Sequence, residues 1–476
     1  MTDTFTCRLA GFVCEQAQAL ATEPLLHQAQ RAMLDTLAVM IAGGSSEGIR
    51  RLESALDTGV GSAACPSPWS GRRYAAVDAA LLYGMASHMD DYDDVSMLAV
   101  CHPSAPVLSA LLAAELSLPA ESAHCGRDFV TAFATGTEVM IRLGQAMGFR
   151  HYELGFHATS TLGVVGSAAA VAKLLQLDVA TTGHALAIAA SSAGGVRKNF
   201  GSMVKPLHVG LAAAGGLRAA RLAQAGITGA LEAFEAGGYL RAYSGGETDG
   251  FPPTGLQFGR PFVLEQPGFE QKRYPCCYML HKLIEATLAL RRESGCSLQD
   301  LQHARVQLPK GGSKPLIHPH PQSGMKGKFS APYVLVASLA DGSIDLTRFT
   351  DEAVLRPALQ ARFRDVEVVE DEADVPPGTD LGRMPVTVTL TLRDGRVLQR
   401  QVLASPGSPG DPLTLEQLRR KWTDCLRHGR PDVSTAAAGD WFDQGLEISA
   451  MASVRPWLDR VLVCPSTSPT PLLRPA

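Results

Sequence analysis

The stretch Thr161-Leu162-Gly163-Val164-Val165-Gly166-Ser167-Ala168-Ala169-Ala170-Val171-Ala172-Lys173-Leu174-Leu175 decides the fold class. It is apolar on almost every side, too long for an ordinary strand, and crowded with Gly, Ala and Ser. A helix of that composition is buried all round, and its small residues let neighbouring axes come close. Lys173 interrupts it, so it falls short of a membrane span. The same style recurs at Gln28 to Ala42, which stops at Gly43-Gly44, at Val77 to Met89, Ala105 to Leu116, Phe129 to Met147, and at Leu207 to Ala225 with its Ala212-Ala213-Ala214-Gly215-Gly216 core. This pattern predicts a tightly packed all-α domain.

The texture changes after Gly245-Gly246-Glu247-Thr248-Asp249-Gly250-Phe251-Pro252-Pro253, a loop by composition. Strand signals follow at Arg305 to Leu308 and Asp365 to Val369. Val386 to Leu392 alternates with period two, and Asp394-Gly395 before Val397 to Leu403 marks a hairpin. Helices are expected between them, at His281 to Arg292 and Ala331 to Leu339. Leu413 to Arg427 returns to helix, with Thr414 and Gln417 at capping-box spacing. The expected fold class is mainly α with a smaller α+β domain. Residues 1–265 form the first part of the helical domain, 266–404 the α+β domain, 405–460 the returning part, and 461–476 a flexible tail.

The chain has 476 residues, 46% hydrophobic and 19% charged, with a net charge of −4. That balance gives no electrostatic reason to expect nucleic acid or an anionic membrane as partner, and an anionic substrate would need a local basic pocket. Met1-Thr2-Asp3-Thr4-Phe5 lacks the basic and apolar regions of a signal peptide, so a cytoplasmic setting is expected. The ten cysteines include no CxxC, which argues for free thiols and against a structural zinc site.

Five clusters could carry chemistry. The densest is His88-Met89-Asp90-Asp91-Tyr92-Asp93-Asp94, followed by Cys101-His102-Pro103-Ser104. Four carboxylates so close repel one another unless cations or protons offset them. Ser104 or His102 falls at a helix start, where backbone N–H groups favour an anion. The second is Gly155-Phe156-His157-Ala158-Thr159, where the hydroxyls after His157 can cap the helix and leave its ring free. The third, Arg197 to His208, brings Lys205 directly before Pro206 at another helix start. The fourth is Gln271-Lys272-Arg273-Tyr274-Pro275-Cys276-Cys277-Tyr278, a thiol pair near two cations. The fifth, Lys326-Gly327-Lys328-Phe329-Ser330-Ala331-Pro332-Tyr333, is a basic turn into a helix. The bland readings are solvated helix ends, surface lysines and packing thiols. Asp90, Asp91 and Asp94 also match the DDxxD pattern by which all-α isoprenoid synthases hold Mg²⁺, but no second acidic motif follows in the helical half.

Taken in order, the five clusters resemble the MmgE/PrpD family, with the Lys-Pro-Leu-His and Tyr-Pro-Cys-Cys strings intact over about residues 29 to 342. The family includes 2-methylcitrate dehydratases, cis-aconitate decarboxylases and iminodisuccinate epimerases. The resemblance implies a helical domain built from both chain ends, an α+β lid, a homodimer, and an active site between the domains that uses no metal and no organic cofactor. It carries catalytic roles to Asp91, His102, His157, Lys205, Lys272 and Tyr333. Ser104, Arg273 and Cys277 are the expected substrate-binding residues. Two departures stand out. The decarboxylase pattern has Thr after the acids and His at position 277, where this chain has Val95 and Cys277. The spacer from Asp94 to His102 is also one residue longer. The expected partner is a small polycarboxylate, and the expected chemistry is removal of a proton next to a carboxylate. Dehydration of a methylcitrate-type acid is preferred, then epimerisation, then decarboxylation. A polyacid-binding protein without turnover is the non-catalytic alternative.

Overall fold

The computed structural model describes residues 4–56, 65–235, 237–246, 256–373, 381–404 and 406–464. The expected tail beyond Cys464 and the loop between Gly246 and Leu256 lie outside the described residues. The principal helices are α1 (Glu23–Gly43), α2 (Ala76–His88), α3 (Ser104–Leu116), α4 (Gly126–Glu153), α5 (Ala158–Leu174), α6 (Val179–Ser191) and α7 (Val204–Gln224). No described helix is long and apolar enough to cross a membrane.

Small residues do what their pattern predicted. A Cβ on Gly84 of α2 would come within 2.7 Å of the Gly210 Cα on α7, and one on Gly136 of α4 would meet the Gly166 carbonyl of α5 at 2.6 Å. The helices therefore touch backbone to backbone, and a larger residue there costs about 1–3 kcal/mol in forced displacement. One hydrophobic core gathers these helices with the segment up to Phe269, and closes with Leu418, Trp422, Phe442 and Trp457 from near the other end of the chain. Those last residues arrive on α10 (Leu415–Gly429) and the helices after it, and α10 begins with the Thr414/Gln417 capping box read from the sequence.

A second core lies between Tyr274 and Leu392. There α8 (His281–Ser294) and α9 (Ala331–Asp341) pack on a mixed sheet of β1 (Leu301–Leu308), β2 (Val366–Glu370), β3 (Val386–Leu392) and β4 (Val397–Val402), in the order β2-β1-β3-β4. β3 buries every second residue, the alternation that marked it as a strand. The β3–β4 pair is the expected antiparallel hairpin, with Val386 opposite Val402. The parallel pairing of β1 with β2 was not expected, nor was helix α6.

The two cores meet along Glu270 to Cys277. Val95 and Glu270 exchange backbone hydrogen bonds of 2.8 and 2.9 Å. Lys421 of α10 reaches into the same seam. Its ammonium pairs with Asp35 at 2.8 Å and donates to the carbonyls of Tyr92 and Lys272. Sequence positions near 35, 92, 272 and 421 are thereby fixed around one point.

Candidate active site

Every element that lines this seam ends or begins there, so each presents a side chain that its helix no longer needs for packing. α2 ends on His88 and the acidic string follows. α3 starts just after His102, α5 just after His157, and α7 one residue before Lys205. A cavity of about 90 Å³ opens among Asp91, His102, His157, Lys205, Lys272 and Cys277. Two non-glycine residues on its wall, Asp91 and Val100, have φ values of 50° and 48°. The left-handed region is costly for a β-branched valine, and such strain persists where surrounding contacts impose it.

Asp91 is the electrostatic centre. One of its carboxylate oxygens lies 2.6 Å from Lys205 Nζ and 3.1 Å from Lys272 Nζ. Burial works against its charge, but the two ammonium groups outweigh it and hold the carboxyl well below the usual range. Lys272 is fully enclosed; burial opposes its charge, and Asp91 then Asp93 carry its pKa above the ordinary value. Lys205 sits between the rings of Phe200 and Phe329, 5.2 and 5.0 Å from their centroids, with one phenylalanine from each side of the seam.

Asp91 was the expected catalytic carboxylate, and it is Asp93 that stands against the imidazoles. Its carboxylate accepts from His88 Nδ1 at 2.8 Å and lies 3.3 Å from His102 Nδ1, whereas Asp91 is 3.9 Å from His102 Nε2. The hydrogen bond fixes the His88 tautomer with its proton on Nδ1, while His102 presents Nδ1 to the same carboxylate as a close charge contact. Burial lowers the His102 pKa, partly offset by Asp93, and pushes His88 to about 3. Burial and then the neighbouring His88 and Lys205 drive His157 well below the imidazole range. All three rings are therefore neutral at neutral pH. His157 rests edge-on against Phe200, and its Nδ1 lies 3.2 Å from His208 Nδ1. Burial raises the Cys277 thiol to about 11, so it is protonated.

Three of the expected site residues sit away from this cavity. Tyr333 is buried in the second core, its hydroxyl donating to the Arg348 carbonyl and its ring edge-on to Phe349 and Phe363. The Ser104 hydroxyl and backbone N–H both donate to Asp94, so the start of α3 is occupied by the chain's own carboxyl group and not by a substrate anion. Arg273 lines an outer groove and lies 3.6 Å from Glu285. In their place the wall carries Tyr152, Phe200, Tyr278, Pro315 and Phe329, to which the sequence reading gave no role, and Thr159, whose hydroxyl does not cap α5 as expected but accepts from the His102 backbone N–H at 3.1 Å. His88, Asp93 and His208 stand directly behind it. All three had been quoted within motifs, but nothing in spacing alone marks which member of a polar string turns inward.

The acidic string does not converge on one point. Asp90 pairs with Lys328 at 3.2 Å, Asp91 with two lysines, Asp93 with two histidines and Asp94 with Ser104. His88, Asp91, Asp93 and His102 do place four donor atoms within 4.8 Å of one another, a spacing a divalent ion could bridge. The lysines already compensate Asp91, and a dication there would sit against two ammonium groups at a large Coulomb cost. The donor set fits an ion-pair network better than a metal.

Comparisons with known proteins agree with the geometry. The description of the MmgE/PrpD N-terminal domain matches residues 7–251, and that of the MmgE/PrpD C-terminal domain matches residues 274–438. Cis-aconitate decarboxylase of Mus musculus is 30% identical over 413 residues, covering 84% of this chain and 82% of that protein. The Homo sapiens protein of the same name is 28% identical over 414 residues, with 84% and 83% covered. That of Aspergillus terreus is 27% identical over 487 residues, with 96% of each chain covered.

Proposed function

The chain belongs to the MmgE/PrpD family, and from that premise we propose that it is a lyase which removes a proton next to a carboxylate of a small polycarboxylic acid, without a metal or organic cofactor. The observation that carries this reading is one cavity holding two lysines on a single carboxylate beside two neutral imidazoles.

A proton α to a carboxylate is very weakly acidic, so its removal needs a placed base and cations where the aci-carboxylate charge grows. Lys205 and Lys272 supply the cations, and a substrate carboxylate shares them with Asp91. The imidazoles divide the remaining work according to what stands behind each. His157 has a second neutral imidazole behind it and acts as base. His102 has Asp93 behind it, which favours an imidazolium once substrate carboxylates enter, so it serves as acid. The pair performs dehydration when His102 protonates a leaving β-hydroxyl. The large helical body is proposed to comprise residues 1–265 and 405–460, with 266–404 closing over the cavity. The homodimer and the cytoplasmic setting are part of the same proposal.

Within the lyase class the preferred reaction is hydro-lyase chemistry on a methylcitrate-type acid. Val95 and Cys277 replace the polar residues of the decarboxylase pattern, and both line the cavity. Decarboxylation is the second reading, favoured by the names of the relatives in mouse, human and Aspergillus. Purified protein incubated with 2-methylcitrate should develop the ultraviolet absorbance of a conjugated alkene and release no CO₂. CO₂ release from cis-aconitate would move the assignment to decarboxylase. Deuterium entering a retained stereocentre, with neither alkene nor CO₂, would move it to epimerase.

A further inference from the structure

A second cavity, of about 480 Å³, lies on the far side of His157 between α2, α5, α6 and α7. Its wall includes Val77 and Asp78 of α2, Ser160 of α5, and Leu211, Arg218 and Leu222 of α7. Leu211 is 52% exposed and the neighbouring Val196 54%, so the cavity opens to solvent. His208 lines this second cavity, and His157 lines the first. The two rings meet through their Nδ1 atoms at 3.2 Å and close the wall between the cavities.

Two neutral imidazoles joined Nδ1 to Nδ1 must be opposite tautomers, because one nitrogen has to donate and the other accept. If His157 is the base of the cavity reaction, its Nε2 is bare and its Nδ1 carries the proton. His208 then accepts at Nδ1 and carries its own proton on Nε2. We propose that His208 is a proton relay that keeps His157 neutral during the reaction by passing one proton on to the second cavity. The abstracted proton binds His157 Nε2, the Nδ1 proton of His157 passes to His208 Nδ1, and the Nε2 proton of His208 leaves to water. Two N–H bonds form and two break, one proton reaches solvent, and both rings end neutral with their tautomers exchanged. As product gives way to water, His157 Nε2 yields its proton to that water, His208 Nδ1 returns its proton to His157 Nδ1, and His208 Nε2 takes one from the second cavity, which restores the starting tautomers.

The surroundings show why a relay is needed. An imidazolium at His157 would face Lys205, His88 and His102 in a buried site, and these groups together with burial hold its pKa well below the ordinary value. Such a ring is a feeble base if it must keep the proton. His208 is depressed by burial and by Lys205, one turn back on α7, but it borders the second cavity, where Asp78 also stands. Its carbonyl accepts from Ser160, which ties the start of α7 to α5 and fixes the ring-to-ring approach. Passing the proton on avoids a buried cation at every stage.

This inference rests on His157 as base, and the test separates the two. In the full-length protein labelled with ¹⁵N-histidine, assigned through His157→Asn and His208→Asn, ring-nitrogen shifts at pH 7 should show His157 protonated on Nδ1 and His208 on Nε2. The same tautomer on both rings, or a charged ring, overturns the relay whether or not a substrate has been found. With the polycarboxylate that the wild type consumes, His208→Ala should lower kcat at least about tenfold, the lower end of what proton transfer contributes. Added imidazole should restore it. Pyrazole, equal in size but too weakly basic to carry a proton, should not. Equal recovery with both, or recovery with neither, refutes proton transfer through His208. A wild type inert on every polycarboxylate would sink the lyase reading, leaving the tautomers to decide the relay.

Discussion

Replacing Asp91 with Asn tests the charge balance at the centre of the cavity. Asparagine keeps the shape and tolerates the left-handed backbone that Asp91 adopts at φ 50°, so the substitution removes charge with little added strain. At an effective dielectric of about 20, unit charges separated by 2.6 and 3.1 Å attract with about 6 and about 5 kcal/mol. Desolvation and repulsion between the two ammonium groups take back much of this, and breaking such a buried pair costs about 3–5 kcal/mol net. For a chain of 476 residues the unfolding entropy near Tm is about 1 kcal/mol per kelvin, so Tm should fall by roughly 3–5 °C if the protein unfolds as a unit. Because the folded carboxyl lies below its unfolded value, its contribution is present above about pH 4 and fades only as pH drops through the depressed pKa. The deficit should therefore be constant from pH 8 to about pH 4. Tricarballylate, a polycarboxylate without a hydroxyl to lose, should return more Tm to the variant than to the wild type by supplying the missing anion. Scanning calorimetry reads both effects. A variant within 1 °C of wild type, or equal protection of both proteins, would refute the account of Asp91 as a stand-in for substrate carboxylate.

The remaining expectations are shorter. His102→Ala and Lys205→Ala should each lower turnover at least about a hundredfold, measured in steady state, if they supply acid/base chemistry and charge stabilisation. Since burial depresses both His102 and His157, the acid limb of the free-enzyme pH profile should fall below pH 6.5, and a limb above 7 would contradict their neutrality. Cys277→Ser should change turnover by less than about tenfold, because a thiol near 11 is a poor acid at neutral pH; a large pH-dependent loss would make it one. Burial raises Asp94 to about 8, so its contribution to stability is complete below about pH 4 and is lost as pH rises to 8. Relative to wild type, Asp94→Asn should accordingly gain stability across that range in urea titrations.

The sequence revealed the site's neighbourhood more readily than its wiring. Period-two alternation made β3 and β4 legible to within a residue, and small-residue helices announced close packing before any coordinate. The parallel β1–β2 pair was invisible because its partners are separated by α9 and its flanking loops, and local alternation says nothing about which strand lies alongside. Within the site, His102, His157, Lys205 and Lys272 were recognisable because each stands at a helix start or in a basic string. Asp93 was passed over for Asp91, two residues away, since only the turn after α2 decides which carboxylate meets an imidazole and which meets lysines. Tyr333 lies outside the cavity for a similar reason. It lies in the first turn of α9, and the side of that turn it occupies faces Phe363 and not the cavity. His208 was in view as the last letter of Lys-Pro-Leu-His, but its value depends on α5 lying against α7, a contact no local pattern reports.

The charges of the site explain why these residues are needed together. Asp91 and Asp93 are balanced by Lys205 and Lys272, and the four imidazoles His88, His102, His157 and His208 are held toward the neutral form by burial. The resting cavity thus has no net charge to satisfy, which is how so polar a cluster can be almost wholly enclosed. A polycarboxylate would disturb that balance as it enters, and the cheapest compensation is proton uptake by the imidazole that both lines the cavity and has a carboxylate behind it. That ring is His102. On the proposed mechanism the same negative charge must not hold His157 as a buried imidazolium, because that cation would face Lys205 and the other rings. An imidazole with solvent behind it resolves the conflict, and His208 is the group so placed. On the proposed assignment, acid and base are distinguished by their second neighbours, Asp93 for one ring and His208 for the other.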